Sequence, residues 1–166
     1  ASKHLDKLLD EIKKLKKNLA YNPSSVDEID TSSRKFYSKL SSISDEEKII
    51  NIISAGENKI AEFKETFGYN RHSNDKRDER LIKSSGKNIV AFINSNGGKL
   101  FIGVDDNGEI TGIEEELKKH KSLDAFKMFF SEIIATKIGP IYNTHVDFKI
   151  YNIEDQKILI ADCKKS

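Results

Sequence analysis

Cysteine occurs once, at Cys163, so neither a disulfide framework nor a cysteine-rich zinc site can form within the chain. Its place in an alternating apolar stretch marks it as a buried thiol. The four histidines, His4, His72, His120 and His145, fall into no HxxxH or HExxH spacing, so no histidine metal motif is present. No apolar run approaches the ~20 residues needed to span a bilayer, and the charged N-terminal segment is not a signal peptide. A reducing, cytoplasmic setting without a membrane partner is therefore expected. An excess of one charge is missing too. Lys and Arg number 28 against 27 Asp and Glu, a net charge of +1, so any binding to a polyanion must come from a local patch. Neither GxxxxGK[ST] nor GxGxxG occurs, which disfavours a P-loop or dinucleotide site at Gly97-Gly98. That pair instead suits a tight helix-to-strand turn.

What remains is a polar chain of 166 residues, 37% hydrophobic and 33% charged, with enough Ile, Leu, Val and Phe for one core. Leu5, Leu8, Ile12, Leu15 and Leu19 form a heptad seam, broken at Asn22-Pro23-Ser24-Ser25. Val26, Ile29, Ser33, Phe36 and Leu40 repeat it. Segments this short are marginal as isolated helices. They are expected either to fold as a hairpin or to pair with a second copy, giving a helical arm over 1–43 and, in the second case, a homodimer.

A second domain is expected over 44–166. Ser44 has the chemistry of an N-cap, with Asp45, Glu46 and Glu47 behind it. Ile49, Ile50, Ile52 and Ile53 make the apolar side of a helix that Gly56 ends. Ile60–Phe67 reads as a strand. Asp78–Asn94 has a helical period through Leu81, Ile82, Ser85, Ile89, Phe92 and Ile93, weakened by ~1 kcal/mol at Gly86 relative to Ala. Lys99–Val104 reads as a strand, Asp105-Asp106-Asn107-Gly108 as a hairpin turn and Glu109–Ile113 as its return strand. Ser122–Lys137 reads as a helix that Gly139-Pro140 stops. Val146–Ile150 and Ile158–Ile160 read as two strands joined around Glu154-Asp155-Gln156. The expected fold class is α+β: a mixed β-sheet flanked by helices and preceded by the helical arm.

Three segments in order carry a resemblance. Gly56-Glu57-Asn58-Lys59-Ile60-Ala61-Glu62-Phe63-Lys64 resembles the opening "GE…EFK" signature of the Schlafen AlbA-type domain. Ile89–Gly98 is similar to its "AFANT-GG" stretch, with Ile93-Asn94-Ser95 in place of Ala-Asn-Thr. Lys99–Ile113 is similar to its "L-IGVDD-G-I-GI" hairpin. The resemblance implies a nucleic-acid-handling domain, DNA or RNA, carried by a larger regulator or defence protein. The chain starts without Met and stops just after a strand-like run, as a piece cut from such a protein would. In animal Schlafens the related core is a metal-dependent endoribonuclease acting on structured RNA. By motif its carboxylate triad falls on Glu57, Glu62 and Asp106, with Asp105 as the substitute for the last. The resemblance thus implies a Mg²⁺ or Mn²⁺ ligand set of Glu57, Glu62 and Asp106.

Hard cations take oxygen ligands and activate water for phosphodiester hydrolysis. Glu62 and Lys64, two apart on a strand, share a face and would set an ammonium beside a metal-bound carboxylate. The same pair is equally a solvated surface ion pair, and Asp105 or Asp106 equally a turn stabiliser. Arg71, Lys76, Arg77, Arg80, Lys83 and Lys87 form a cationic stretch, diluted by Asp75, Asp78 and Glu79, with Tyr69 and His72 as stacking candidates. It suits backbone phosphates, or is an ordinary charged face. Lys118, Lys119 and Lys121 make a smaller, solvated run. A protein-interaction module remains the third alternative, supported by the balanced charge and the helical arm.

Overall fold

Three acids, Asp45, Glu46 and Glu47, stand where a helix dipole is positive, and helix α1 runs Asp45–Ala55 from them in the computed structural model. Ile49 and Ile53 are its buried residues. Gly56, at φ +80°, follows as a left-handed C-terminal stop. The structure describes residues 6, 7, 9–14, 45–71 and 76–166. The two heptad seams therefore lie largely outside the described residues, as do the Ser44 cap and His72. The chain divides into two units, Ala1–Ser54 and Ala55–Ser166.

The second unit begins with strand β1, Ala61–Lys64, shorter than the Ile60–Phe67 run. Helix α2 spans Glu79–Ile93, and strand β2 spans Gly98–Ile102. A short helix α3, Glu114–Leu117, precedes α4, Leu123–Ile133. A π-helical turn, Ile134–Ile138, and a 3-10 turn, Pro140–His145, lead to β3, Val146–Ile153, and β4, Gln156–Cys163. The strand order is β1-β2-β4-β3. β1 and β2 are parallel and joined by α2. The remaining pairs are antiparallel, so the sheet is mixed.

Asp78 caps α2, its side chain accepting from the Arg80 amide while its own amide donates to Gly68 O at 2.7 Å. The buried face of α2 is Ile82, Ser85, Ile89, Phe92 and Ile93. It packs with Leu100 and Ile102 of β2, Leu159 and Ala161 of β4, and Phe126 and Phe130 of α4. Each fully buried side chain of this kind contributes about 1.5–3 kcal/mol. The other sheet face also carries buried residues, with Phe63 and Phe101 edge-to-face at 5.5 Å. Gly98 is fixed by close approach: a Cβ there would collide with the Phe92 ring. The hairpin β3–β4 turns on Glu154 and Asp155, both at positive φ, which gives the two-residue loop the twist of its strands. Cys163 is buried, and burial pushes its thiol up to about 12.

One expected strand does not form. Glu109–Ile113 makes only an isolated bridge, Val104 to Ile110. The amides of Thr111 and Gly112 both donate to Gly103 O, at 2.9 and 3.0 Å, which is incompatible with a regular ladder. Gly112, at φ +74°, then turns the chain so that Ile113 donates to Lys157 O at 2.8 Å and its side chain enters the core. The helix expected to reach Lys137 ends four residues earlier as α-helix and widens into the π-turn. Residues 114–117, given no element by periodicity, form α3.

Candidate functional site

The acidic residues of the opening signature are engaged in local structure. Asn58 closes the turn into β1, and Glu57 Oε1 accepts from the Phe63 amide at 2.8 Å. That amide belongs to the edge of β1 away from β2, so Glu57 occupies a donor the sheet leaves open. Glu62 and Lys64 share a face, as two-residue spacing requires. Lys64 Nζ donates to Glu62 Oε1 at 3.1 Å, and both side chains are half-buried.

The turn acids divide their roles. Asp105 Oδ1 accepts from the amides of Asn107 and Glu109, both at 2.9 Å, the usual work of an Asp at a turn. Asp106 is exposed beside it. Among the described residues no three His, Cys, Asp or Glu side chains gather closely enough to hold a metal ion. Glu57, Glu62 and Asp106 do not converge as a ligand set, and with a backbone amide on Glu57 and an ammonium on Glu62 the arrangement gives the endoribonuclease alternative no support.

The six cations of the basic stretch separate by type. Arg71 pairs with Glu65 at 3.0 Å and donates to Thr111 O at 3.4 Å. Arg77 pairs with Glu79 at 2.8 Å and lies over the Phe129 ring at 5.0 Å. Arg80 holds Asp78 through two donors, at 3.1 and 3.0 Å, yet its side chain is 90% exposed. The bond from Arg80 keeps the Asp78 carboxyl below its usual range and raises the guanidinium in return. Lys76, Lys83 and Lys87 are exposed, and no ion pair holds them among the described residues.

Arg80, Lys83 and Lys87 fall at i, i+3 and i+7 of α2, one stripe of the helix. Facing that stripe is Lys137, which the π-turn carries to 3.7 Å from Glu79. Lys83, Lys87 and Lys137 line one cleft of about 790 Å³. Sequence reasoning missed Lys137, which lies in the π-turn and not in the regular helix expected through Ser122–Lys137.

It also missed Glu116. This side chain is 2% exposed and accepts from the amides of Phe67, at 2.7 Å, and Gly68, at 2.5 Å. Burial pushes its carboxyl up to about 7, outweighing the two amide donors that pull it down. Glu116 thereby ties α3 to the exit of β1, where the cationic loop starts. The loop base is closed by the Tyr69–Arg77 bridge and the Asp78-to-Gly68 bond. His120 sits nearby among Tyr69, Phe126 and Phe129, at 6.0, 5.2 and 5.0 Å, and burial lowers its pKa. The available signal was the spacing Ile113, Glu116, Leu117, which puts one of three consecutive acids on an apolar stripe.

These features define a small α+β domain with a mixed sheet, an acid-buttressed edge strand and a lysine-lined cleft. The chain belongs to the Schlafen, AlbA_2 family, whose sequence profile matches residues 57–166. No curated protein matches it. Among the described residues no helix is long and apolar enough to cross a membrane.

Proposed function

We propose that the domain binds nucleic acid through the exposed stripe Arg80, Lys83 and Lys87 of α2, with Lys76 before it and Lys137 across the cleft. The observation that carries this reading is the stripe. Three cations lie on one helical face over about 10 Å of rise, and neither lysine is neutralised by a neighbouring acid among the described residues. Family membership supports the same partner class. Arg71 and Arg77 are assigned to holding the loop, since each has an acidic partner and a second contact. Contacts of this sort neutralise phosphates and position a strand without reading its sequence.

The reading is tested by fluorescence anisotropy with labelled oligonucleotides across a salt series. Lys83→Ala with Lys87→Ala should flatten the slope of log K against log salt by about 1.4 for a single strand, ~0.7 for each phosphate no longer neutralised. An unchanged slope refutes the placement. The same reactions are run with Mn²⁺ and with EDTA. Cleavage abolished both by EDTA and by Glu62→Ala would replace this reading with a metal-dependent endoribonuclease using Glu57, Glu62 and Asp106. The arm over 1–43 is assigned to homodimerisation, from its heptad spacing. Ile12→Lys in the full chain should then convert a dimer to a monomer in sedimentation velocity.

A further inference from the structure

The cleft beside the cationic stripe is more than a charged surface. Its apolar lining comes from Ile82, Val90 and Ala91 of α2 and Ile138 of the π-turn. Val90 is 38% exposed. Gly86 lies midway along the same wall, and a Cβ built on it would meet nothing within 4 Å. Lys83, Lys87 and Lys137 line the same space, with Glu79 as the one acid.

We infer that this cleft takes unpaired nucleotides of a single strand, with phosphates on the three lysines and base faces against the apolar wall. The inference rests on the nucleic-acid reading above and narrows it. A duplex offers a protein surface its phosphates and groove edges, while its base faces stay stacked inside. It would satisfy the lysines and leave the apolar wall bare. A strand with splayed bases presents both chemistries at once, with the aliphatic wall taking the base faces that aromatic platforms take in many single-strand sites. The cleft volume falls within the ~300–1,000 Å³ of ordinary ligand pockets, enough for more than a phosphate. The excess of lysine over acid at the cleft selects a polyanion over a neutral apolar ligand.

Gly86 makes the inference separable from charge. Gly86→Leu sends a side chain into open space, alters no cation and replaces a poor helix former with a good one. The experiment measures anisotropy of the full chain with a labelled mixed-sequence single strand and with the same strand annealed to its complement. The expected result is single-strand binding roughly tenfold tighter than duplex binding, as apolar area buried on the wall adds to the phosphate contacts. Gly86→Leu should abolish most of that preference while its unfolding midpoint is not reduced and the salt slope of its residual binding, set by the unchanged lysines, is kept. With the three cleft lysines among its phosphate contacts, single-strand affinity should fall at least roughly 20-fold between about 50 and 200 mM salt, and by a factor roughly 7 times smaller in Lys83→Ala with Lys87→Ala. Equal binding of strand and duplex, or a Gly86→Leu variant that binds the strand as wild type does, overturns the inference and leaves the electrostatic reading standing. Failure of the wild type to bind either probe overturns both.

Discussion

Replacing Gly86 by Ala should stabilise the domain, and the size of the gain follows from where the residue sits. It is the eighth of the fifteen residues of α2, away from both caps. In a helix interior Gly costs about 0.8–1.0 kcal/mol relative to Ala, because the unfolded chain loses more freedom at Gly. Two effects usually blur this figure. A new methyl can gain packing or clash, yet here, beyond its chain neighbours and its own helix backbone, it has no atom within 4 Å to touch. A positive φ would make any side chain strained, but the backbone here is helical. The full propensity difference should therefore be expressed, an expected gain of about 0.5–1 kcal/mol. In urea, with m of roughly 1.5 kcal/mol/M for a domain this size, the midpoint should rise by about 0.3–0.7 M at unchanged m. Circular dichroism at 222 nm follows it directly. A midpoint that stays or falls would show that position 86 is not a solvent-facing helix interior. Both the groove and the Gly86→Leu experiment would then be without a basis.

Glu116→Gln should change how stability depends on pH. The folded carboxyl titrates at about 7 and the unfolded one near the ordinary 4.5. The native state therefore holds the proton over that interval, and stability falls as pH rises from about 4.5 through 7, by at most ~1.4 kcal/mol per pH unit. Urea midpoints measured from pH 5 to 8 should show this decline in the wild type and a shallower one in the variant; parallel profiles would refute it. Gly98→Ala should destabilise by about 1–3 kcal/mol, as expected for forced overpacking, because its methyl meets the Phe92 ring. Restoration of the urea midpoint by adding Phe92→Leu would locate the clash. Glu57→Ala should cost about 0.5–1.5 kcal/mol through the unpaired Phe63 amide, without altering the salt slope of nucleic-acid binding. A changed slope would assign Glu57 to the ligand instead.

Much of the fold was legible because local signals agreed with tertiary need. The apolar period over Asp78–Asn94 marks α2 because the same residues face the sheet, and Gly97-Gly98 marks the turn that the Phe92 ring enforces. Where one backbone group serves two partners, local pattern fails. Glu109–Ile113 alternates like a strand, but two amides converge on Gly103 O and the ladder cannot propagate. The candidate site was legible as composition and not as geometry. Arg71 through Lys87 read as one basic stretch, whereas its arginines are drawn onto Glu65, Glu79 and Asp78. Lys137 lines the cleft from a π-turn, and Glu116 is buried where the loop after β1 meets α3. The first is not encoded in nearest-neighbour spacing, and the second shows there only as one acid on an apolar stripe.

The division of labour between arginine and lysine has a consequence for what such a surface can read. Arginine's planar fork suits it to fixed, two-point contacts, and here those contacts are internal. Arg71 spans Glu65 and a backbone carbonyl, Arg77 spans Glu79 and a phenyl face, and Arg80 grips the α2 cap. The bidentate arginine contact to guanine that dominates direct base readout in a major groove is thus withheld, unless a helix cap or a loop tie is given up for it. Lysines, as mobile point charges, remain for the phosphates, with the exposed side of the capped Arg80 beside them. A surface built this way should tolerate changes of base sequence and respond strongly to salt and to strandedness. Substituting Lys83 by Arg should then leave sequence preference flat in a competition series of oligonucleotides. A variant that acquired a preference for guanine would show that the stripe already lies against base edges, and the phosphate assignment would have to be abandoned.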